Sequence, residues 1–142
     1  MNNLTCATGL AAILFATLST PLSSAESPIQ VSEIVKSTHS WDGTALPAYP
    51  QGQPEIRILK FTIAAGATLP LHQHPVINAG VLLKGKLHVE KKSGEVLILN
   101  PGDPIVEVID TWHFGRSIGE EAAEIMVFYA GIEGKPITLK AK

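Results

Sequence analysis

From Glu55 onward the chain is written in short runs that suit an extended, half-buried backbone. Ile56–Ile63, Val76–Leu83, Lys86–Glu90, Val96–Leu99, Ile105–Ile109 and Glu124–Tyr129 are each four to eight residues long and rich in β-branched or aromatic side chains. Turn signals separate them: Ala65-Gly66, Lys84-Gly85, Ser93-Gly94, Asn100-Pro101-Gly102-Asp103, Ile118-Gly119 and Gly131. No sustained 3.6-residue apolar period runs through this part, so long helices are not expected. A strand and its turn together take about ten residues, the spacing of a β-sandwich or small barrel. Residues 26–54 differ. Pro28, Pro47, Pro50 and Pro54 break any regular pattern, and the segment is expected to be an extended arm ahead of a barrel domain at 55–142.

The first twenty-five residues have another texture. Leu4 to Leu22 carries no charged side chain, and Gly9–Leu18 is a compact apolar run. Pro21 would end a helix there, and Ser23 and Ala25 place small residues at the −3 and −1 positions of a cleavage site. This is the layout of a secretory signal peptide cut between Ala25 and Glu26, although Met1-Asn2-Asn3 lacks the usual Lys or Arg. The rival readings are an uncleaved anchor and a buried helix. The apolar run is shorter than the roughly 20 residues that span a bilayer. Leu4-Thr5-Cys6 has the form of a lipoprotein box but precedes the apolar run instead of following it. The expected address is the periplasm or the exterior, with no membrane attachment after cleavage.

Composition narrows the chemistry. Of 142 residues, 45% are hydrophobic and 17% charged, which is enough apolar material for a packed core. Eleven basic residues face thirteen acidic ones, so no cationic surplus exists to neutralise nucleic-acid phosphates. The single cysteine, Cys6, rules out an intramolecular disulfide and Cys-based zinc modules, and it would leave with the signal peptide. No G-x-S-x-G, P-loop or dinucleotide fingerprint occurs.

The histidines carry the remaining signal. His72 and His74 stand two apart, bracketed by Pro70 and Pro75, and in an extended chain residues i and i+2 share a face. Two imidazoles there can converge on one ion, although a His-x-His pair also occurs at sites that bind nothing. Asn78 has the same parity. His88 alternates with Lys86 and Glu90 and is expected to face solvent. His39 lies in the Pro-rich arm, and nothing in its spacing requires it at a site.

The segment Gly66-Ala-Thr-Leu-Pro-Leu-His72-Gln-His74-Pro-Val-Ile-Asn78-Ala-Gly-Val-Leu-Leu-Lys-Gly85 resembles the first motif of the cupin superfamily: Gly, five residues, His-x-His, three or four residues, Glu, six residues, Gly. Every interval matches, with Asn78 in the place of the Glu. A second stretch, opening at Gly102, resembles the second motif in its Gly and in His113. Val108, Asp110 and Ser117 stand where that motif has Pro, Gly and Asn. The resemblance implies an all-β, double-stranded β-helix (jelly-roll) barrel holding one divalent transition metal (Fe, Mn, Ni, Cu or Zn). By position its ligands are His72, His74, Asn78 and His113. A neutral amide binds a cation more weakly than a carboxylate, so two completions are open: Asn78, or Glu107, whose carboxylate sits within the apolar run Ile105–Ile109. Glu107 is also the candidate catalytic acid or base, and its bland alternative is a charge on an outer strand face.

Arg116 could clamp a substrate carboxylate and Trp112 could wall a pocket; a surface charge and a core aromatic are equally compatible with their positions. Phe128 and Tyr129 are expected to pack inside the barrel. Three functions follow for a small organic, and in some cases anionic, ligand: a metal-dependent oxygenase or isomerase/lyase, a non-catalytic binder of metal or ligand, and a purely structural barrel. Barrels of this kind pair through sheet edges, so a homodimer is also expected.

Overall fold

The alternation in Ala123–Ile132 organises the molecule. Ala123, Ile125, Val127, Tyr129 and Gly131 are buried on one face, and the residues between them are more exposed. The computed structural model describes residues 28–142; the apolar run and the expected cleavage site after Ala25 lie outside the described residues. Ser32–Lys142 forms one compact unit. Nine strands build it: β1 (Pro54–Ile63), β2 (His72–Gln73), β3 (Ile77–Lys84), β4 (Leu87–Lys91), β5 (Val96–Leu99), β6 (Pro104–Val106), β7 (His113–Ser117), β8 (Ala123–Ile132) and β9 (Leu139–Lys140). Among the described residues there is no helix.

The strands form two antiparallel sheets, ordered β1-β8-β3-β6 and β5-β4-β7-β2-β9. Their inward faces enclose a core that includes Ile63, Leu82, Leu87, Val89, Leu99, Ile105, Ile125 and Val127. This is the all-β jelly-roll barrel expected above. Gly85 closes the β3–β4 turn at φ 74°, and a Cβ there would lie 2.6 Å from the carbonyl oxygen of Ala122, so only glycine fits.

Three differences from the sequence expectations have local causes. The Ile105–Ile109 run stops as a strand at Val106. Glu107 N–H still donates to Asn78 O (3.1 Å), but the chain then crosses to the second sheet, where Ile109 bridges His74 and Asp110 N–H donates to His74 O. Asp110 takes φ 49° at that crossing. β7 and β9 carry too few apolar residues to announce themselves. Phe128 points outward and is 45% exposed, because strand parity allows only its neighbour Tyr129 inside.

The arm is tied down between residues 38 and 46. His39 bridges Ala45, Trp41 N–H donates to Val106 O (2.9 Å), and the buried Ser40 hydroxyl donates to Glu107 O (2.8 Å). Asp42 accepts from Lys91 Nζ on β4 (2.8 Å) and from Thr44 N–H (2.9 Å), with only 4% of its side chain exposed. Burial works to raise the Asp42 pKa, but the hydrogen bonds from Lys91 and Thr44 outweigh it and hold the carboxyl below 3.8. A lowered folded pKa stabilises the fold above the unfolded value and loses that contribution as pH falls through the folded value. Asp42→Asn is therefore expected to cost on the order of 1.5–3 kcal/mol at pH 7, the range for a hydrogen bond to a charged group. Urea unfolding at pH 7 and at about pH 3 checks this: the difference between the two proteins should shrink at the lower pH.

Candidate metal centre

The short strand β2 exists because Pro70 and Pro75 bracket it and limit how far a ladder can extend. His72 pairs with His113 of β7 across the sheet, and His74 lies two residues on with the same parity. The rings gather, with centroids 4.5 Å apart for His72 and His113, 4.9 Å for His72 and His74, and 5.1 Å for His74 and His113. One ring nitrogen of each lies within 4.8 Å of the other two.

Each imidazole is held from behind. Nδ1 of His72 donates to Pro70 O (2.7 Å), Nδ1 of His113 to Thr111 O (2.8 Å) and Nδ1 of His74 to Ile137 O (2.9 Å). A ring nitrogen facing a carbonyl must carry the proton, which leaves the lone pair of each neutral ring on Nε2. Burial lowers all three pKa values, that of His74 to about 4. At neutral pH the cluster therefore offers three lone pairs and no charge.

Glu107 stands beside this cluster. The inward parity of Ile105 continues to it, it borders the cavity, and its Oε2 lies 3.7 Å from His113 Nε2. That gap is too long for a hydrogen bond, and neither atom has any partner. With His113 neutral the contact is not an ion pair. Burial raises the Glu107 pKa to about 7. Two buried polar atoms without partners are costly, and a divalent cation bound between them would satisfy both. Their 3.7 Å separation is one that two ligands of a common ion, each about 2.0–2.2 Å from it, can span. The donor set fits a transition metal: imidazole nitrogens suit Zn, Cu, Fe and Ni, and the carboxylate extends this to Mn.

Asn78 is fully buried on the inward face of β3, where Nδ2 donates to Val76 O (3.2 Å) and Oδ1 has no partner. The backbone bond from Glu107 to Asn78 O makes the two residues neighbours across the ladder. His88 faces away from the centre, as its alternation requires, with Nε2 bonded to Glu90 Oε2 (2.8 Å) and its ring stacked on Phe114. His39 is exposed on the arm beside Thr38. Arg116 is exposed on the outer face of β7, because parity with the inward His113, Gly115 and Ser117 excludes it. Trp112 borders a separate shallow depression with Leu71, Gln73 and Leu139. Neither lines the cavity beside the histidines.

The cavity has a volume of about 240 Å³. Gly115 leaves part of it open, since a Cβ there would sit 3.5 Å from Leu69 and 3.6 Å from Leu87. Tyr129, Thr138 and Lys140 border it and were not anticipated as site residues. Tyr129 alternates regularly enough to have been placed inside; nothing in the spacing of Thr138 and Lys140 points to the site. Thr138 Oγ1 lies 3.2 Å from His74 Nδ1.

The family model described as Cupin domain matches residues 59–129, which contain the three histidines and Glu107. The chain belongs to the cupin family. Among solved structures this cupin is similar to a cupin-like protein from Thermotoga maritima (14% identity, 61% of this chain and 64% of that one, TM-score 0.52). It is also similar to a polyketide cyclase from Streptomyces resistomycificus (14% identity, 64% and 63%, TM-score 0.53) and to DMSP lyases (13% identity, 61% and 44%, TM-score 0.52). The chain spans 44% to 64% of the length of these structures. No curated protein matches the sequence.

If the three imidazoles are the ligands, His72→Ala, His74→Ala and His113→Ala should each lower metal affinity by more than about a hundredfold, beyond the 10–100-fold typical of groups that only support a ligand. His88→Ala should leave it unchanged. Metal content by mass spectrometry after equilibrium dialysis checks this; equal losses from His88→Ala and His74→Ala would show the strand register to be wrong.

Proposed function

We propose that this cupin holds one divalent transition metal on His72, His74 and His113, and works as an enzyme of oxygenase or isomerase/lyase type on a small organic molecule admitted to the adjoining cavity. The observation that carries this is the convergence of three lone-pair nitrogens, each locked by a carbonyl behind it, beside a buried carboxylate oxygen with no partner. When bound, the ion supplies Lewis-acid polarisation of a substrate oxygen or, if it is iron or copper, a redox centre. The chain's own residues orient the imidazoles, keep them unprotonated and exclude water with an aliphatic wall. The structural neighbours named as lyases and as a polyketide cyclase put enzyme chemistry on this barrel in other proteins, which supports the enzymatic reading.

Glu107 is proposed as the fourth donor in place of Asn78. It approaches the centre at His113 from the ladder position next to Asn78, with its partnerless Oε2 3.7 Å from the partnerless Nε2 of His113. Glu107→Gln should therefore weaken metal binding by about 10–100-fold, while Asn78→Ser should change it little. The reverse order would make the amide the donor and release Glu107 for proton transfer. The second reading, a non-catalytic metal or ligand binder, is favoured by that same assignment. A carboxylate committed to the ion leaves no other acidic side chain on the cavity wall. Ligand recovered unchanged after prolonged incubation with the metal-loaded protein would select it.

The layout of residues 1–25 supports export, and the outward Ile56, Ile58 and Phe128 on the β1–β8 sheet support a homodimer through that face. Exported protein should begin at Glu26 by N-terminal sequencing and sediment at twice the mass of the mature chain. A start at Met1 would end the export proposal, and a monomer at micromolar concentration would end the dimer.

A further inference from the structure

The cavity beside the histidines is lined unevenly. Its inner wall is hydrocarbon, with Ile63, Leu87, Val89, Ile125 and Val127 all buried and facing it. Phe61 and Tyr129 add two aromatic rings. The charged groups divide between two places: Glu107 stands against His113, and Lys140 arrives on the other edge of β2.

Strand register brings Lys140 there. Residues directly opposite one another in an antiparallel pair project from the same face of the sheet. β9 sets Lys140 opposite His72, whose ring points inward, and Thr138, two residues earlier, also borders the cavity. Leu139 lies between them opposite Gln73 and faces the outer depression. Lys140 is exposed and borders both the cavity and that depression, as a side chain on the rim must. It makes no ion pair with any of the described residues.

We propose that Lys140 is the anion-recognising group of this cavity and that the ligand is a small apolar molecule bearing one carboxylate. Its hydrocarbon body lies against the aliphatic and aromatic wall, and its charged end lies at the rim between Lys140 and His72. The proposal rests on the reading of the barrel interior as a small-molecule site. Size agrees: an apolar cavity of about 150 Å³ accommodates benzene, so 240 Å³ admits a ring with a carboxylate attached. Charge agrees as well. A divalent ion, one carboxylate and one ammonium leave the interior net positive, and a single anionic group reduces that excess.

Calorimetric titration of the zinc-loaded mature protein with benzoate, and with benzamide as its neutral isostere, tests this. Wild-type protein should prefer benzoate. Lys140→Met should weaken benzoate roughly fivefold, the upper end for a partly exposed pair, leave benzamide unchanged, and keep the zinc content. Lys140→Arg should restore benzoate binding. Benzoate affinity unaffected by Lys140→Met would overturn the proposal, and so would a parallel loss of benzamide, which would make Lys140 a structural residue of β9. Protein that binds benzamide but ignores the charge at residue 140 removes this inference alone. Protein that binds neither probe removes the small-molecule reading as well.

Discussion

Three hydrogen bonds from imidazole Nδ1 to backbone carbonyls are the constraint on which the centre depends. A buried ring N–H must find an acceptor, and here the acceptors are all carbonyls on the outer side of the ring. For His72 and His113 the acceptor is two residues earlier in the chain, at Pro70 and Thr111, so the local bend supplies it. For His74 it is Ile137, sixty-three residues later, so that ring is oriented only once the segment leading into β9 has docked. Satisfying the outer nitrogens leaves the inner ones bare and facing one another. Left so, His113 Nε2 and Glu107 Oε2 are buried without partners. The fold accepts a local cost that a cation bound there would remove.

The apolar cavity acts on the imidazoles and on the Glu107 carboxyl through one effect with opposite signs. Removing water disfavours the charged form of each group, which lowers the histidines and raises Glu107. Without an ion the interior drifts toward neutrality, with rings unprotonated and the carboxyl half-titrated near pH 7. A cation bound beside Glu107 would reverse the balance for it, because an adjacent positive charge favours the carboxylate, and would leave the neutral rings as they are. The aliphatic wall is therefore also what keeps the imidazoles unprotonated.

Period-two alternation made the architecture legible wherever strands are long and one face is aliphatic. β1, β3, β4, β5 and β8 all lie where the pattern puts them, and His72, His74 and His113 meet as their motif intervals imply. The pattern fails where strands carry function in place of core. The inward residues of β7 are His113, Gly115 and Ser117, an imidazole, a gap and a hydroxyl, so no hydrophobic alternation marks it. β9 has two residues and takes its register from β2. Arg116 and Lys140 show the consequence. A basic residue near His113 in sequence is carried outward by parity, while one near the C-terminus is carried to the rim by a pairing that no local signal reveals.

The division of labour between regular and irregular backbone accounts for where the polar groups of the cavity stand. The long strands β1, β3 and β8 supply wall and core, with side chains fixed by a continuous ladder. The polar groups come from places where a ladder is short or breaks: the proline-bracketed β2, the crossing after Val106, and the stub of β9. At such places a carbonyl turned out of the sheet is free to accept an imidazole N–H, which an interior strand carbonyl is not. Glu107 is the clearest case. One residue beyond the last pair of β6 it still has the inward parity of Ile105, yet the chain is already leaving the sheet toward His74. The arm supports this position by donating from Ser40 to the Glu107 carbonyl and from Trp41 to that of Val106. A carboxylate thereby stands one rung across the ladder from Asn78, beside His113.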